Sequence, residues 1–410
     1  MTNGVVLTAA RDALALIRHT TLLLLTLTDG QPSLRVTYDL LHELPQHEAT
    51  ASNDAAEGED EPKEQTQSKQ RVTATAFFQP EPEQKDVYAL LALLDERKLV
   101  HYEANVATNT ITVRAVREMQ RNSTSMSVSS LRVNEETKHV VIVGEKTGEA
   151  VAMPFPHLNR DLRTLLGHTT SMITHMAVNH DRSLLLTADR DEKIRISHFP
   201  RTSLVQSYCL GHKASVTRIA TSAVTPQLVV STSLDNSIKL WNVEDGTLYD
   251  SQALLKGEDL NAALLNVSLA VCPVRNLALV VLNNSELRFF AIENVDGDAF
   301  KLVAKDLSPQ VRGFVSAHEP SEAVFTPEGS LVLAYRRSPF VRLFDVSSVT
   351  ASNVGLNERS AHDELTRLRK EAAAIELPKD EDDNADDLEG GLQKKKVKLN
   401  EWKSKLPSTN

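Results

Sequence analysis

Leu165-Leu-Gly-His168, followed by Thr187-Ala-Asp-Arg-Asp-Glu-Lys-Ile-Arg-Ile-Ser197, is answered 44 residues later by Leu210-Gly-His212 and by Ser231-Thr-Ser-Leu-Asp-Asn-Ser-Ile-Lys-Leu-Trp-Asn242. In this alignment His168 returns as His212, Asp191 as Asp235, Ile194 as Ile238, Arg195 as Lys239 and Ile196 as Leu240. Every anchor stays in phase, and the second copy closes on Trp241-Asn242.

A period of about 40–45 residues, opened by Gly-His and closed by a Trp-Asp-like pair, is the signature of a WD40 β-propeller. Each repeat is a four-stranded blade that covers its faces only by stacking on neighbours. The d–a link and the b–c turn of a blade lie at the same end. His168 is therefore expected to bond Asp191, and His212 to bond Asp235, in a structural network that includes Trp241. A His and an Asp near Ser and Thr resemble a hydrolase triad, but their repetition with the blade points to structure rather than catalysis.

The chain has 410 residues, 41% of them hydrophobic, and seven blades at this period use roughly 300. An all-β, seven-bladed propeller is expected, with an acidic disordered insertion and a charged C-terminal tail containing a short helix. Residues 1–44 read as a first, divergent blade, with β-like runs at Val5 to Thr8, Leu22 to Thr28 and Leu34 to Tyr38. Residues 45–70 are rich in Glu and Asp and poor in large apolar side chains, so they cannot offset their own ordering entropy. Residues 71–350 hold the remaining blades, and ring closure is expected to mix strands from both chain ends. In residues 351–410, Glu358 to Leu377 has the spacing of an amphipathic helix. An acidic run from Lys379 to Glu389 follows, and then Lys394, Lys395, Lys396 and Lys398, a cluster that fits a nuclear import signal.

Several function classes lose support. Cys209 and Cys272 are too few for a disulfide framework or a zinc site, so a reducing compartment is expected. The run Thr20 to Thr28 is far short of the roughly 20 residues that span a bilayer, so no membrane association is expected. A net charge of −10 argues against a surface that grips nucleic acid all round. Gly144-Glu-Lys-Thr-Gly148 lacks the spacing of a phosphate-binding loop and reads as a hairpin. No Gly-x-Gly occurs, so no cofactor site is expected. No catalytic or metal-ligating residue is assigned, because no cluster of acids or His is recognised for a central channel.

The turn Asp189-Arg190-Asp191-Glu192-Lys193 stands out. The fold needs one acid there, and the matching Leu234-Asp235-Asn236-Ser237 carries no other charge. Lys193 and Arg195 alternate with Ile194 and Ile196, so both cations share one face of their strand. Ser197 stands where the next repeat has Trp241, which leaves that face smaller. Asp189, Arg190, Asp191, Glu192, Lys193 and Arg195 are the candidate partner-binding set. A solvated hairpin whose charges pair among themselves is the alternative.

Thr187 to Ser197, with Tyr208-Cys-Leu-Gly-His212, resembles the WD-repeat non-catalytic subunits of tRNA (guanine-N7-)-methyltransferases over roughly residues 160–245. The resemblance implies a nuclear heterodimer in which a separate catalytic subunit binds S-adenosylmethionine and methylates guanine N7 in the tRNA variable loop. The propeller subunit would hold that enzyme in its active shape and meet tRNA mainly through the complex. Lys193 and Arg195 would pair with acids of the catalytic subunit, and Asp189 and Asp191 would fix the turn. The competing expectation is a general propeller adaptor, such as a ubiquitin-ligase substrate receptor or chromatin scaffold. An adaptor's Trp-Asp-x-Arg is absent, since Trp241 is followed by Asn242, Val243 and Glu244.

Overall fold

The computed structural model describes residues 5–358 apart from 11–12, 19, 29–30, 42–70, 96, 134–135, 170, 256–265, 298, 308–318, 336–340 and 351. The acidic insertion, the helix expected after Glu358 and the lysine cluster at 394–398 lie outside the described residues. Every described element is a β-strand. The strands fall into consecutive groups of four, each an antiparallel meander a-b-c-d in chain order. The groups cover residues 5–39, 72–118, 123–167, 173–210, 216–253, 266–307 and 320–358, and are called blades 1 to 7 in that order. Blades 6 and 7 join into one eight-stranded sheet through a short parallel contact, Asp306 and Leu307 against Asn353 and Val354.

The a strands stand next to one another around a closed circuit, from Val5–Ala10 through Ile173–Val178 to Pro320–Phe325 and back to Val5–Ala10. Closure does not follow the expected strand exchange. Blade 1 consists wholly of N-terminal strands and blade 7 wholly of C-terminal ones, and the two ends meet side by side. Apolar packing closes the ring: Leu14, Leu16 and Leu25 of blade 1 cluster with Val332, Ala334, Val341 and Leu343 of blade 7.

Both faces of each blade are buried, which explains the continuous apolar runs. In Val87–Leu94 the side chains alternate. Leu90, Ala92 and Leu94 pack toward blade 1, while Leu91 and Leu93 pack toward blade 3. Leu186 and Ala188 likewise face blade 5, and Leu185 faces blade 3. Hydroxyls on the inner strands tie blade to blade. Thr124 Oγ1 donates to Ile173 O at 2.5 Å, Thr174 Oγ1 to Val216 O at 2.6 Å and Ser268 Oγ to Ala323 O at 3.2 Å. These bonds satisfy carbonyls on an edge that no fifth strand covers.

Blade 7 ends on Asn353–Glu358, a strand beyond the boundary expected at residue 350. The Gly144–Gly148 segment is a hairpin turn as expected: Gly144 pairs with Ala150, and Gly148 N donates to Glu145 O at 3.0 Å.

Candidate functional site

Blade 5 shows what the repeat requires at its b–c end. Trp241 Nε1 donates to Ser231 Oγ at 2.8 Å, and Ser231 stands 2.7 Å from His212 Nε2. His212 Nδ1 stands 2.9 Å from Asp235 Oδ2. One direction satisfies every donor: indole to hydroxyl, hydroxyl to imidazole Nε2, imidazole Nδ1–H to carboxylate. Burial opposes ionisation of Asp235. Hydrogen bonds from His212, Ser237 and the Lys213 amide outweigh it and hold the carboxyl well below the usual range. The expected pair His212–Asp235 is present, with Trp241 fully buried behind it.

Blade 4 solves the same problem with different residues. His168 Nε2 meets Thr187 Oγ1 at 2.7 Å, and Thr187 is the counterpart of Ser231. The carboxylate opposite His168 Nδ1 is Asp189 at 2.9 Å, not Asp191 as the spacing suggested. Asp189 is the last residue of strand Leu184–Asp189 and is 2% exposed; its Oδ1 also accepts the Lys193 amide at 2.9 Å. Its counterpart in blade 5 is Ser233, so an acid at the strand end has taken over the work that Asp235 does from the turn. Burial again opposes ionisation, and the bonds from His168 and Lys193 keep the Asp189 carboxyl below its ordinary range.

Asp191 is thereby released. Its side chain is 47% exposed and lies 3.8 Å from Arg190 Nε. Glu192 adopts a φ of +76°, where blade 5 has Asn236 at +64°. Asn tolerates this left-handed conformation, whereas a longer side chain pays about 1 kcal/mol for it, so the glutamate is not there for the fold.

Arg195 replaces the missing tryptophan. Its Nε donates to Ser197 Oγ at 2.9 Å, Nη1 to Gly167 O at 3.2 Å and Nη2 to Thr202 O at 3.0 Å. In blade 5 the Trp241 ring lies against Gly211, the counterpart of Gly167. The guanidinium therefore fills the space that the sequence suggested was open. Of the six candidate docking residues, Asp189 is buried at its strand end and half-buried Arg195 is bonded to Ser197, Thr202 and the neighbouring strand of blade 3. Arg190, Asp191, Glu192 and Lys193 are exposed together at the turn.

Two features escaped the sequence reading. Blade 3 is a third copy in phase. Glu145, 44 residues before Asp189, is buried at the same strand end, accepts from Thr147 Oγ1 at 3.2 Å and lies 3.8 Å from Arg121 Nη1. The pairs Phe155-Pro156 and Phe199-Pro200, also 44 apart, carry that period and could have revealed it.

The second is polar clustering on the inner strands, where no acid or His had been recognised. His175, Arg218, Ser268 and Glu322 come from blades 4, 5, 6 and 7. Burial pushes Glu322 up to about 7 against the opposing Arg218 charge and a Ser268 hydrogen bond. Burial, then Arg218, pushes His175 down to about 3, and its Nδ1 accepts the Ile219 amide at 3.4 Å. Among the described residues no group of three His, Cys, Asp or Glu is placed to hold a metal ion.

Comparison with known proteins gives three findings. Residues 42–303 match the family described as tRNA methyltransferase TRM82 WD40 domain. The tRNA (guanine-N(7)-)-methyltransferase non-catalytic subunit wuho of Drosophila pseudoobscura pseudoobscura is 36% identical over 106 residues, 26% of each chain. The non-catalytic subunit WDR4 of Homo sapiens is 35% identical over 132 residues, 32% of this chain and 30% of that one. These matches span about a quarter to a third of the relatives' length. A chain in the Crystal Structure of Mitotic Checkpoint Complex superposes with a TM-score of 0.53 at 14% identity, covering 82% of this chain and 89% of that one, a likeness of fold alone.

Proposed function

Because the chain belongs to the TRM82 WD40-domain family, we propose that it is the non-catalytic subunit of a tRNA (guanine-N7)-methyltransferase. In this reading it binds and stabilises a catalytic subunit, which carries S-adenosylmethionine and forms N7-methylguanosine in the tRNA variable loop. The observation that carries the reading is the division of labour at the blade 4 turn. Asp189 and Arg195 complete the blade, so the fold has no use for the exposed Arg190, Asp191, Glu192 and Lys193. Ions on open surface contribute little, but in a desolvated interface losing one partner costs about 2–5 kcal/mol. The lysines at 394, 395, 396 and 398 would direct the chain to the nucleus, which removal of the cluster from a fluorescent fusion tests.

Co-expression with a candidate catalytic subunit tests the assignment. Methylation of a tRNA transcript should require both chains. Lys193→Glu combined with Arg190→Glu should abolish co-purification and leave the thermal midpoint of the free chain unchanged. Methylation by this chain alone, or undiminished capture by the double variant, refutes the reading.

A further inference from the structure

Four arginines are exposed on the connections and the outer strand of blades 3 and 4: Arg160, Arg163, Arg182 and Arg201. The loops that carry them are tied together. Phe199 N donates to Ser183 O at 2.6 Å, which joins the a–b loop holding Arg182 to the c–d loop holding Arg201. Thr202 Oγ1 donates to Leu165 O at 2.5 Å, which seats that second loop on the outer strand Arg163–Gly167 of blade 3. Arg163 lies two residues from Leu165 on the same face, about 7 Å along the strand. Arg160 belongs to the loop that leads into it, and its carbonyl is held by Arg117 Nη1 at 2.5 Å.

Arg97, Arg114, Arg121, Arg190 and Arg288 each lie within 4.0 Å of an acid, whereas none of the four, like exposed Arg132 and Arg275, has such a partner among the described residues. Two nearby acids offset only part of the charge. Asp181 keeps its negative charge, because the Ser183 amide and hydroxyl that donate to its Oδ1 at 3.1 and 2.7 Å are neutral donors that favour the ionised form. With exposed Asp161 this sets two carboxylates against four guanidinium groups. The exposed imidazoles of His157, His180 and His198 add donors on the same loops and strand end.

We propose that Arg160, Arg163, Arg182 and Arg201 form a docking surface for RNA phosphates. The proposal rests on the methyltransferase reading for its choice of polyanion. Arginine suits phosphate because its planar fork donates two parallel bonds. Strand Leu184–Asp189 places Arg182 at the end of blade 4 opposite the charged turn. An RNA engaged by a protein docked at the turn could then rest its backbone on the patch.

The test is fluorescence anisotropy of an end-labelled tRNA transcript with the full chain, from 25 to 200 mM KCl. The wild type should bind with log K falling linearly in log salt. Replacing all four arginines with alanine should flatten that slope by about 3 and weaken binding at least tenfold at 50 mM, since each lost phosphate contact removes roughly 0.7–0.9 from the slope. The fourfold Arg→Lys variant should keep most of the slope, and circular dichroism melts confirm that both variants fold. An unchanged slope in the alanine variant, or no salt-dependent binding by the wild type, overturns the proposal. Polyglutamate of equal charge that competes as well as unlabelled tRNA assigns the patch to acidic protein instead, which also overturns it. Capture of the catalytic subunit by the alanine variant is read separately. Its loss would bear on the subunit assignment, and its retention with a flattened slope supports the patch alone.

Discussion

Glu322 gives the sharpest test of how the inner ring is built. It stands on the a strand of blade 7, where burial raises its carboxyl from the usual 4.5 to about 7 even though Arg218 and Ser268 favour the charged form. A shift of this size, at about 1.4 kcal/mol per pH unit, amounts to about 3 kcal/mol between the two protonation states. The folded-state value is the raised one. The penalty is therefore absent below the unfolded value near 4.5, grows through the interval, and is complete once pH exceeds the folded value near 7. Glu322→Gln keeps the shape and cannot ionise. Its stability relative to wild type should climb by about 3 kcal/mol between pH 5 and pH 8.5. Urea midpoints of both proteins across that range measure it, and a difference that stays flat with pH, or falls, refutes the account. Arg218→Met in the wild-type background should move the transition to higher pH, because the one cation that opposes the shift is removed.

Three further outcomes follow from blades 4 and 5. Asp189→Ala should cost about 3 kcal/mol by stranding buried His168, whereas Asp191→Ala should stay within about 0.5 kcal/mol; equal costs in urea unfolding would return the structural role to Asp191. The stability that Asp189 and Asp235 add is complete above the ordinary carboxylate range and is lost as pH falls through their depressed values, so Asp235→Asn should lessen acid sensitivity below pH 4. Arg195→Ala should lower stability by about 2 kcal/mol through loss of three bonds and the packing of its stem, while Lys193→Ala leaves the thermal midpoint unchanged, which separates a fold defect from a docking defect.

The repeat was legible in most strands that are buried on both faces. Runs such as Val87–Leu94 and Leu277–Leu282 announce themselves because every side chain must be apolar. Several outer strands did not announce themselves, although Leu34 to Tyr38 marks that of blade 1. Leu248–Ala253 and Asn353–Glu358 have one protected side and a polar composition, so only their pairing with the neighbouring c strand reveals them. The short strand Ala13–Arg18 was missed for another reason: its alternate residues divide between the blade 2 and blade 7 interfaces, and no turn signal of Gly or Pro precedes it.

Local order in the chain thus determined the blade, its period, the His212–Asp235 pair and the excess of charge in the blade 4 turn, because all of these are set by residues at fixed offsets. Which acid answers His168, where Arg195 places its guanidinium, and which residues share the inner ring were decided only by tertiary structure. Those outcomes depend on a two-residue choice between strand end and turn, on the space left by an absent indole, and on the approach of blades distant in sequence. Spacing alone cannot resolve such choices, because burial and hydrogen-bond satisfaction select among residues that the period treats as equivalent.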